Sequence, residues 1–147
     1  MFLYKTHVHM EDTDATARIY FTALYRYAFE AFQKCFYEGG FDIGKLVKSS
    51  SYLLPIVHSK ADYFLPLCLG DPVEVRLTVG KISEKSFTLC SQIYSDGRLC
   101  GTVTIIHAAI DKSTQTSRPL PAELCPFLKS LEDDGEQMLG KELAKGS

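Results

Sequence analysis

The stretch Phe21-Thr22-Ala23-Leu24-Tyr25-Arg26-Tyr27-Ala28-Phe29-Glu30-Ala31-Phe32-Gln33-Lys34-Cys35-Phe36, followed shortly by Gly39-Gly40, decides the fold. Phe21, Leu24, Tyr25, Ala28, Phe32, Cys35 and Phe36 recur at i, i+3, i+4 and i+7, the period of one helix face. The stripe is wide and aromatic, as expected of a helix buried against a sheet. Gly39-Gly40 supplies a stop, because glycine takes the left-handed backbone that ends a helix without a Cβ clash.

The sequence on either side supplies the sheet. Residues 2–9 read as a strand and residues 12–19 as a connection rich in Asp, Thr and Ala. After the helix, a short helical turn is expected at Asp42–Lys48 and a loop at Ser49-Ser50-Ser51. Tyr52–Phe64 reads as extended, with Pro55 near its start, until Leu65-Pro66 and Leu69-Gly70-Asp71-Pro72 break it. Val73, Val75, Leu77 and Val79 then alternate with Glu74, Arg76 and Thr78, the period of a half-buried strand. Ser86–Tyr94 and Leu99–Ile110 follow as strands, with Asp96-Gly97 at the centre of the hairpin turn between them. Arg118-Pro119-Leu120-Pro121 closes the strand region. One strand, one long helix and about four strands in hairpin succession make an α+β chain, with a central helix packed on a curved antiparallel sheet. Residues 1–125 hold this domain, and 126–147 form a tail with a short helix at Pro126–Leu131 and a frayed or loosely helical remainder.

Composition narrows the partners. The chain has 147 residues, 46% of them hydrophobic and 23% charged, with a formal net charge of −2. That balance is ordinary for a globular domain and gives no general drive toward nucleic acid or anionic membrane. No apolar run approaches the ~18 residues of a spanning helix, and the N-terminus lacks the charged and apolar regions of a secretory leader. A cytoplasmic protein is expected. Cys35, Cys68, Cys90, Cys100 and Cys125 are odd in number and lack C-x-x-C spacing, so they read as buried inert thiols rather than as disulfides or a zinc site.

Glu11, Asp12 and Asp14 crowd the turn that feeds the helix. Two readings stand side by side. Asp, Ser and Thr before a helix commonly cap it and shape the turn. A carboxylate beside free helix N–H groups is also half of an acyl-transfer site. Those N–H groups and the positive end of the helix dipole can polarise a carbonyl as an oxyanion hole, where one donor is worth about 3 kcal/mol. The carboxylate can attack the carbonyl or deprotonate a water.

Two longer stretches join that turn. Asp12-Thr13-Asp14, Ile19-Tyr20-Phe21 and the aromatic helix, with Pro55-Ile56-Val57-His58-Ser59-Lys60-Ala61-Asp62-Tyr63-Phe64-Leu65-Pro66-Leu67, Gly70-Asp71 and Arg118-Pro119-Leu120-Pro121, resemble the hotdog-fold acyl-CoA thioesterases of the 4-hydroxybenzoyl-CoA type. Their form is closest to the branch that hydrolyses 1,4-dihydroxy-2-naphthoyl-CoA in quinone synthesis. The resemblance implies a sheet wrapped around the helix, a homodimer joined edge to edge, further pairing into a tetramer, and active sites at the dimer interface. It implies a catalytic role for Asp14 and a polarising role for the Phe21 backbone N–H. Tyr25, His58 and Ser59 would meet the acyl group, and Lys85, Ser86 and Arg118 the CoA phosphates. CoA belongs to the substrate, and neither a separate cofactor nor a metal is implied. The sequence departs from the family at Ala17, where relatives usually carry Gly, and at Phe21, where another branch carries His.

The remaining polar candidates have plainer readings. His7, His9 and His107 fall on expected strands without ligand spacing and read as structural. Glu30 reads as a solvated or interface carboxylate, and Lys81 either joins Lys85, Ser86 and Arg118 at the CoA phosphates or is a solvated surface cation. An aliphatic acyl-CoA or acyl-carrier-protein thioesterase, or a non-catalytic acyl-CoA binder, remain the alternatives to an aryl-CoA hydrolase.

Overall fold

The computed structural model describes residues 1–132. The expected behaviour of the tail beyond them lies outside the described residues.

Strand β1, Phe2–His7, turns alternate residues inward and outward. A single 3-10 turn, Met10–Asp12, follows. Helix α1 spans Ala23–Glu38 and buries Ala23, Leu24, Tyr27, Ala28, Ala31, Phe32, Cys35 and Phe36. The buried stripe is thus slightly rotated from the expected one. Phe21 lies in the turn before the helix and is 71% exposed, while Tyr25 is only half-buried. A pure period count extends the helix too far toward the N-terminus, because it cannot see where the first helical hydrogen bond forms. Burial of each large side chain on this face contributes about 1.5–3 kcal/mol. Gly39 ends the helix, donating to the Cys35 carbonyl at 3.0 Å.

Helix α2, Ile43–Ser49, is capped by the Asp42 side chain, which accepts from the Lys45 amide. The extended Tyr52–Phe64 run is two strands, β2 at Tyr52–Leu53 and β3 at Ile56–Tyr63. Pro55 separates them, since it lacks the N–H a continuous ladder needs. Strand β4 is Pro72–Ile82, β5 Ser86–Ser95, β6 Arg98–Ala108 and β7 Ile110–Asp111. Asp96 and Gly97 both hold positive φ, 49° and 75°, as the tight β5–β6 hairpin turn requires.

The main sheet has the order β1-β4-β5-β6-β3, every neighbouring pair antiparallel, and β2 pairs with β7. Val73, Val75, Leu77, Val79, Phe87, Leu89, Ile93, Val103 and Ile105 form one core with the α1 stripe. Gly101 lets the two layers touch: a Cβ there would stand 2.8 Å from the Asp62 carbonyl and 2.8 Å from Leu24 Cδ1. Helix α3, Leu124–Ser130, begins earlier than expected and puts Leu124 and Leu128 into the same core. Of the cysteines, Cys35 and Cys100 are buried and Cys90 and Cys125 half-buried. Cys68 departs from expectation and is exposed. It sits in the turn before β4, where apolar sequence neighbours do not imply burial. Among the described residues no helix is long and apolar enough to cross a membrane.

Candidate active site

The turn that carries Asp14 is a small hairpin laid onto the start of α1. Tyr20 N donates to the Asp12 carbonyl at 2.9 Å, and Asp14 N donates to the Arg18 carbonyl at 2.9 Å. Thr13 and Ile19 pair between them. A second set of bonds pins the hairpin to the segment before β4. Ile19 N donates to the Leu67 carbonyl at 3.0 Å and Leu69 N to the Ala17 carbonyl at 2.9 Å. Ala17, at the tip, holds φ at 62°. By strand spacing, the Asp14 and Phe21 backbones lie roughly 10 Å apart. An Asp side chain and a thioester carbonyl together span such a gap.

The carboxylates separate cleanly. Asp12 is 3% exposed. It accepts from the His9 amide at 2.9 Å and from Tyr27 Oη at 3.0 Å, and it pairs with Arg26. Burial raises its pKa, but the His9, Arg26 and Tyr27 hydrogen bonds outweigh that and hold it below the usual range. Arg26 also pairs with Glu30, whose Oε2 accepts from Tyr4 Oη at 2.9 Å. Asp12 and Glu30 are therefore committed to a network joining the hairpin, α1 and β1.

Asp14 is more open. Its Oδ1 accepts from Thr16 Oγ1 at 2.6 Å and from Thr16 N at 2.7 Å. The Thr16 hydroxyl, then the Thr16 amide, lower its pKa, so it is a carboxylate at neutral pH. The Thr16 contacts are those of a turn-forming Asp, and they leave its charge uncompensated by any ion pair among the described residues. Nearby, the Phe21 amide has no hydrogen-bond partner among the described residues, while its carbonyl accepts from Tyr63 Oη.

The family model of the thioesterase-like superfamily matches residues 8–128, which span the hairpin, helix α1 and every strand but β1. The chain belongs to the thioesterase-like superfamily. A 1,4-dihydroxy-2-naphthoyl-CoA hydrolase of Crocosphaera subtropica is 28% identical over 134 residues, covering 89% of this chain and 98% of the relative. The same enzyme of Microcystis aeruginosa is 30% identical, covering 90% and 98%. The crystal structure of a 1,4-dihydroxy-2-naphthoyl-CoA thioesterase from Synechocystis superposes with a TM-score of 0.83 at 24% identity, covering 88% of this chain and 96% of that one. This likeness establishes the hotdog fold that the superfamily member shares with it.

The other expected site residues fall into separate places. Tyr25 is half-buried on the first turn of α1. His58 and Ser59 are adjacent and exposed on β3, so they point to opposite faces of the sheet. The backbones of Lys85, Ser86 and Arg118 come together around Ala108 and Ala109. Ala109 N donates to the Lys85 carbonyl at 2.9 Å, the Ala109 carbonyl accepts from Arg118 N at 3.1 Å, and Ser86 pairs with Ala108. The Arg118 guanidinium lies 5.5 Å from the Tyr52 ring centroid and donates to Ser51 Oγ at 3.3 Å. This group stands at the Ile82 end of β4 and the Asp14 hairpin at the Pro72 end, about 30 Å apart along the sheet of one chain.

Sequence reasoning missed Arg26 and Tyr63. Arg26 carried a signal, since Arg26 and Glu30 are spaced i, i+4 on the helix. Tyr63 carried none, because its hydroxyl reaches Phe21 only through the fold.

Proposed function

We propose that the protein hydrolyses an aromatic acyl-CoA thioester of the hydroxybenzoyl or 1,4-dihydroxy-2-naphthoyl type, with Asp14 as the catalytic carboxylate and the Phe21 N–H as oxyanion donor. The observation that supports this reading is the hairpin, with an ionised carboxylate on one arm and an unpaired amide at the end of the other, just before α1. Two relatives that are 1,4-dihydroxy-2-naphthoyl-CoA hydrolases support the substrate class. The thiolate of CoA leaves readily, so the carbonyl needs polarisation and a positioned carboxylate more than a strong acid. The substrate brings its own CoA, and the reading calls for no further cofactor. The domain at residues 1–125, with α1 as the helix the sheet curls around, carries these groups. A cytoplasmic setting suits a CoA-linked substrate.

The functional unit in this reading is a homodimer, itself pairing into a tetramer. Strand β3 supports it. It is an edge strand, all but one of its residues are exposed, and Ile56, Val57, Tyr63 and the following Phe64 and Leu65 are apolar. A long edge of this kind is a template for another strand. Antiparallel pairing of two β3 edges lays the Ile56 end of one chain beside the Tyr63 end of the other. The group Lys85, Ser86 and Arg118 of a second copy then approaches Asp14, with the chemistry to hold the CoA phosphates there. His58 and Ser59 lie on the paired strand itself, and Tyr25 beside the helix start, where each can line the acyl site.

Asp14→Asn tests the reading. With thiol release from benzoyl-, dihydroxynaphthoyl- and hexanoyl-CoA as the readout, the variant loses several orders of magnitude on the aryl esters while its far-UV spectrum is unchanged. Near-full activity in Asp14→Asn would remove the assignment. A preference of the unaltered protein for hexanoyl-CoA would replace the aromatic substrate with an aliphatic one, and tight CoA-ester binding without thiol release would make it a binding protein.

A further inference from the structure

Tyr63 closes strand β3 and pairs with Gly101 of β6. Residues paired directly across an antiparallel ladder project to one face of the sheet. At Gly101 that face is the helix side, where an added Cβ would meet Leu24. The Tyr63 ring therefore rises toward the start of α1. Its base is clamped, because the next two amides, Phe64 N and Leu65 N, both donate to the Cys100 carbonyl, at 2.8 and 3.1 Å. Burial, then the neighbouring Tyr25, raises the phenol pKa, so the hydroxyl keeps its proton at neutral pH and is a donor.

The acceptor is the Phe21 carbonyl. Among the described residues no amide of α1 bonds to that carbonyl. The helical ladder starts one residue later, with Arg26 N donating to the Thr22 carbonyl at 3.3 Å. The Tyr20 carbonyl, on the other side of Phe21, accepts from Ala23 N at 3.0 Å. The two peptide units that flank the Phe21 Cα are thus both held, one by the helix start and one by the sheet. A peptide unit is planar and each residue has only two soft dihedral angles, so holding both units fixes the direction of the Phe21 N–H.

We propose that Tyr63 is a positioning residue for thioester hydrolysis, its hydroxyl holding the Phe21 peptide so that the Phe21 N–H stays aimed at the thioester oxygen. The proposal rests on the reading of Phe21 as oxyanion donor and adds the group that orients it. Without the hydroxyl, the Phe21 carbonyl is free to accept from Tyr25 N, four residues on, which is the ordinary helical bond. Phe21 then winds into α1 and its N–H swings toward the helix axis. A donor stabilises an oxyanion most when it is in place before the charge develops, so one that must swing back contributes less. Tyr63 acts from outside the reacting atoms. It does not touch the carbonyl oxygen of the ester, and it moves no proton.

Tyr63→Phe tests this, since it keeps the ring and removes the bond. With thiol release from benzoyl-CoA as the readout, kcat should fall by about tenfold or more while KM stays within about threefold, because the donor acts on the transition state more than on the bound ester. That is part of the roughly 100- to 1,000-fold loss that follows removal of an oxyanion donor. An unchanged kcat would overturn the proposal. So would a raised KM with kcat intact, which would make Tyr63 a contact of the bound ester. Tyr63→Ala gives a second reading that does not depend on how well Tyr63→Phe folds. The side chain is half-exposed, so added p-cresol can enter the vacated space, and it should recover kcat where toluene does not. Equal recovery by both, or none by either, counts against the hydroxyl and overturns the proposal. The two readings fail separately. Hydrolysis that survives Asp14→Asn sinks the Asp14 assignment and leaves the kcat loss in Tyr63→Phe standing, whereas hydrolysis lost in Asp14→Asn but unchanged in Tyr63→Phe sinks the positioning role alone.

Discussion

Ala17 carries a φ of 62° at the tip of the Asp14 hairpin, where an L side chain crowds the next carbonyl at a cost of about 1–2 kcal/mol. The position is held because its carbonyl accepts from Leu69 N and its amide donates to the Asp14 carbonyl. Glycine would relieve the crowding but would give up entropy on folding. Ala17→Gly should therefore stabilise the protein by about 0.5–1 kcal/mol, read as a higher urea midpoint with an unchanged slope. A lower midpoint would show that the hairpin depends on the methyl group for packing. The sequence marks Ala17 as a departure from glycine, yet the sign of the change needs the backbone angle. Asp14 is similar. Its position before the helix is legible, but whether its charge is neutralised depends on which neighbours reach it.

At the scale of the element, the Asp12–Arg26–Glu30 network fixes the hairpin to α1 and β1. Asp12→Ala strands the Tyr27 hydroxyl and the His9 amide while Arg26 keeps Glu30, so a loss of about 2–3 kcal/mol is expected in denaturant unfolding. A loss below 0.5 kcal/mol would mean the network contributes little. The pH dependence follows from the same group. Asp12 has a folded pKa below its unfolded value, so its contribution is complete above the unfolded pKa of about 3.9 and disappears as pH falls through the folded one. Asp12→Ala should lose less stability than the unaltered protein between pH 5 and pH 3. The elements themselves were largely readable: the alternation of Val73 to Val79, the Asp96-Gly97 turn and the Gly39 stop each act locally. The network was not, because Asp12 and Arg26 meet only once the hairpin folds back. The same applies to His107, which a strand pattern makes one more inward residue, whereas its tautomer depends on a carbonyl fifty-three positions away.

Across the whole molecule, the sheet holds the candidate carboxylate at one end and the candidate phosphate-binding cluster at the other, with β3 exposed between them. Val57 is 61% exposed on that strand and lies outside the chain's own core. On the paired-edge reading, Val57→Lys puts a hydrated cation in place of an apolar residue of the seam, and pairing must then desolvate it. Sedimentation should then show a smaller assembly and activity should fall with it, while a variant of unchanged mass would place the association elsewhere. The separation of the two clusters also has a genetic face. On the proposed reading every site draws the carboxylate from one subunit and the cation from the other, so a chain with Asp14→Asn and a chain with Arg118→Ala are each deficient alone. Co-expressed, they can form mixed pairs in which one of the two sites inherits both intact groups. Two inactive genes would then restore activity to each other, and a carboxylate and a cation serving within the same chain could not.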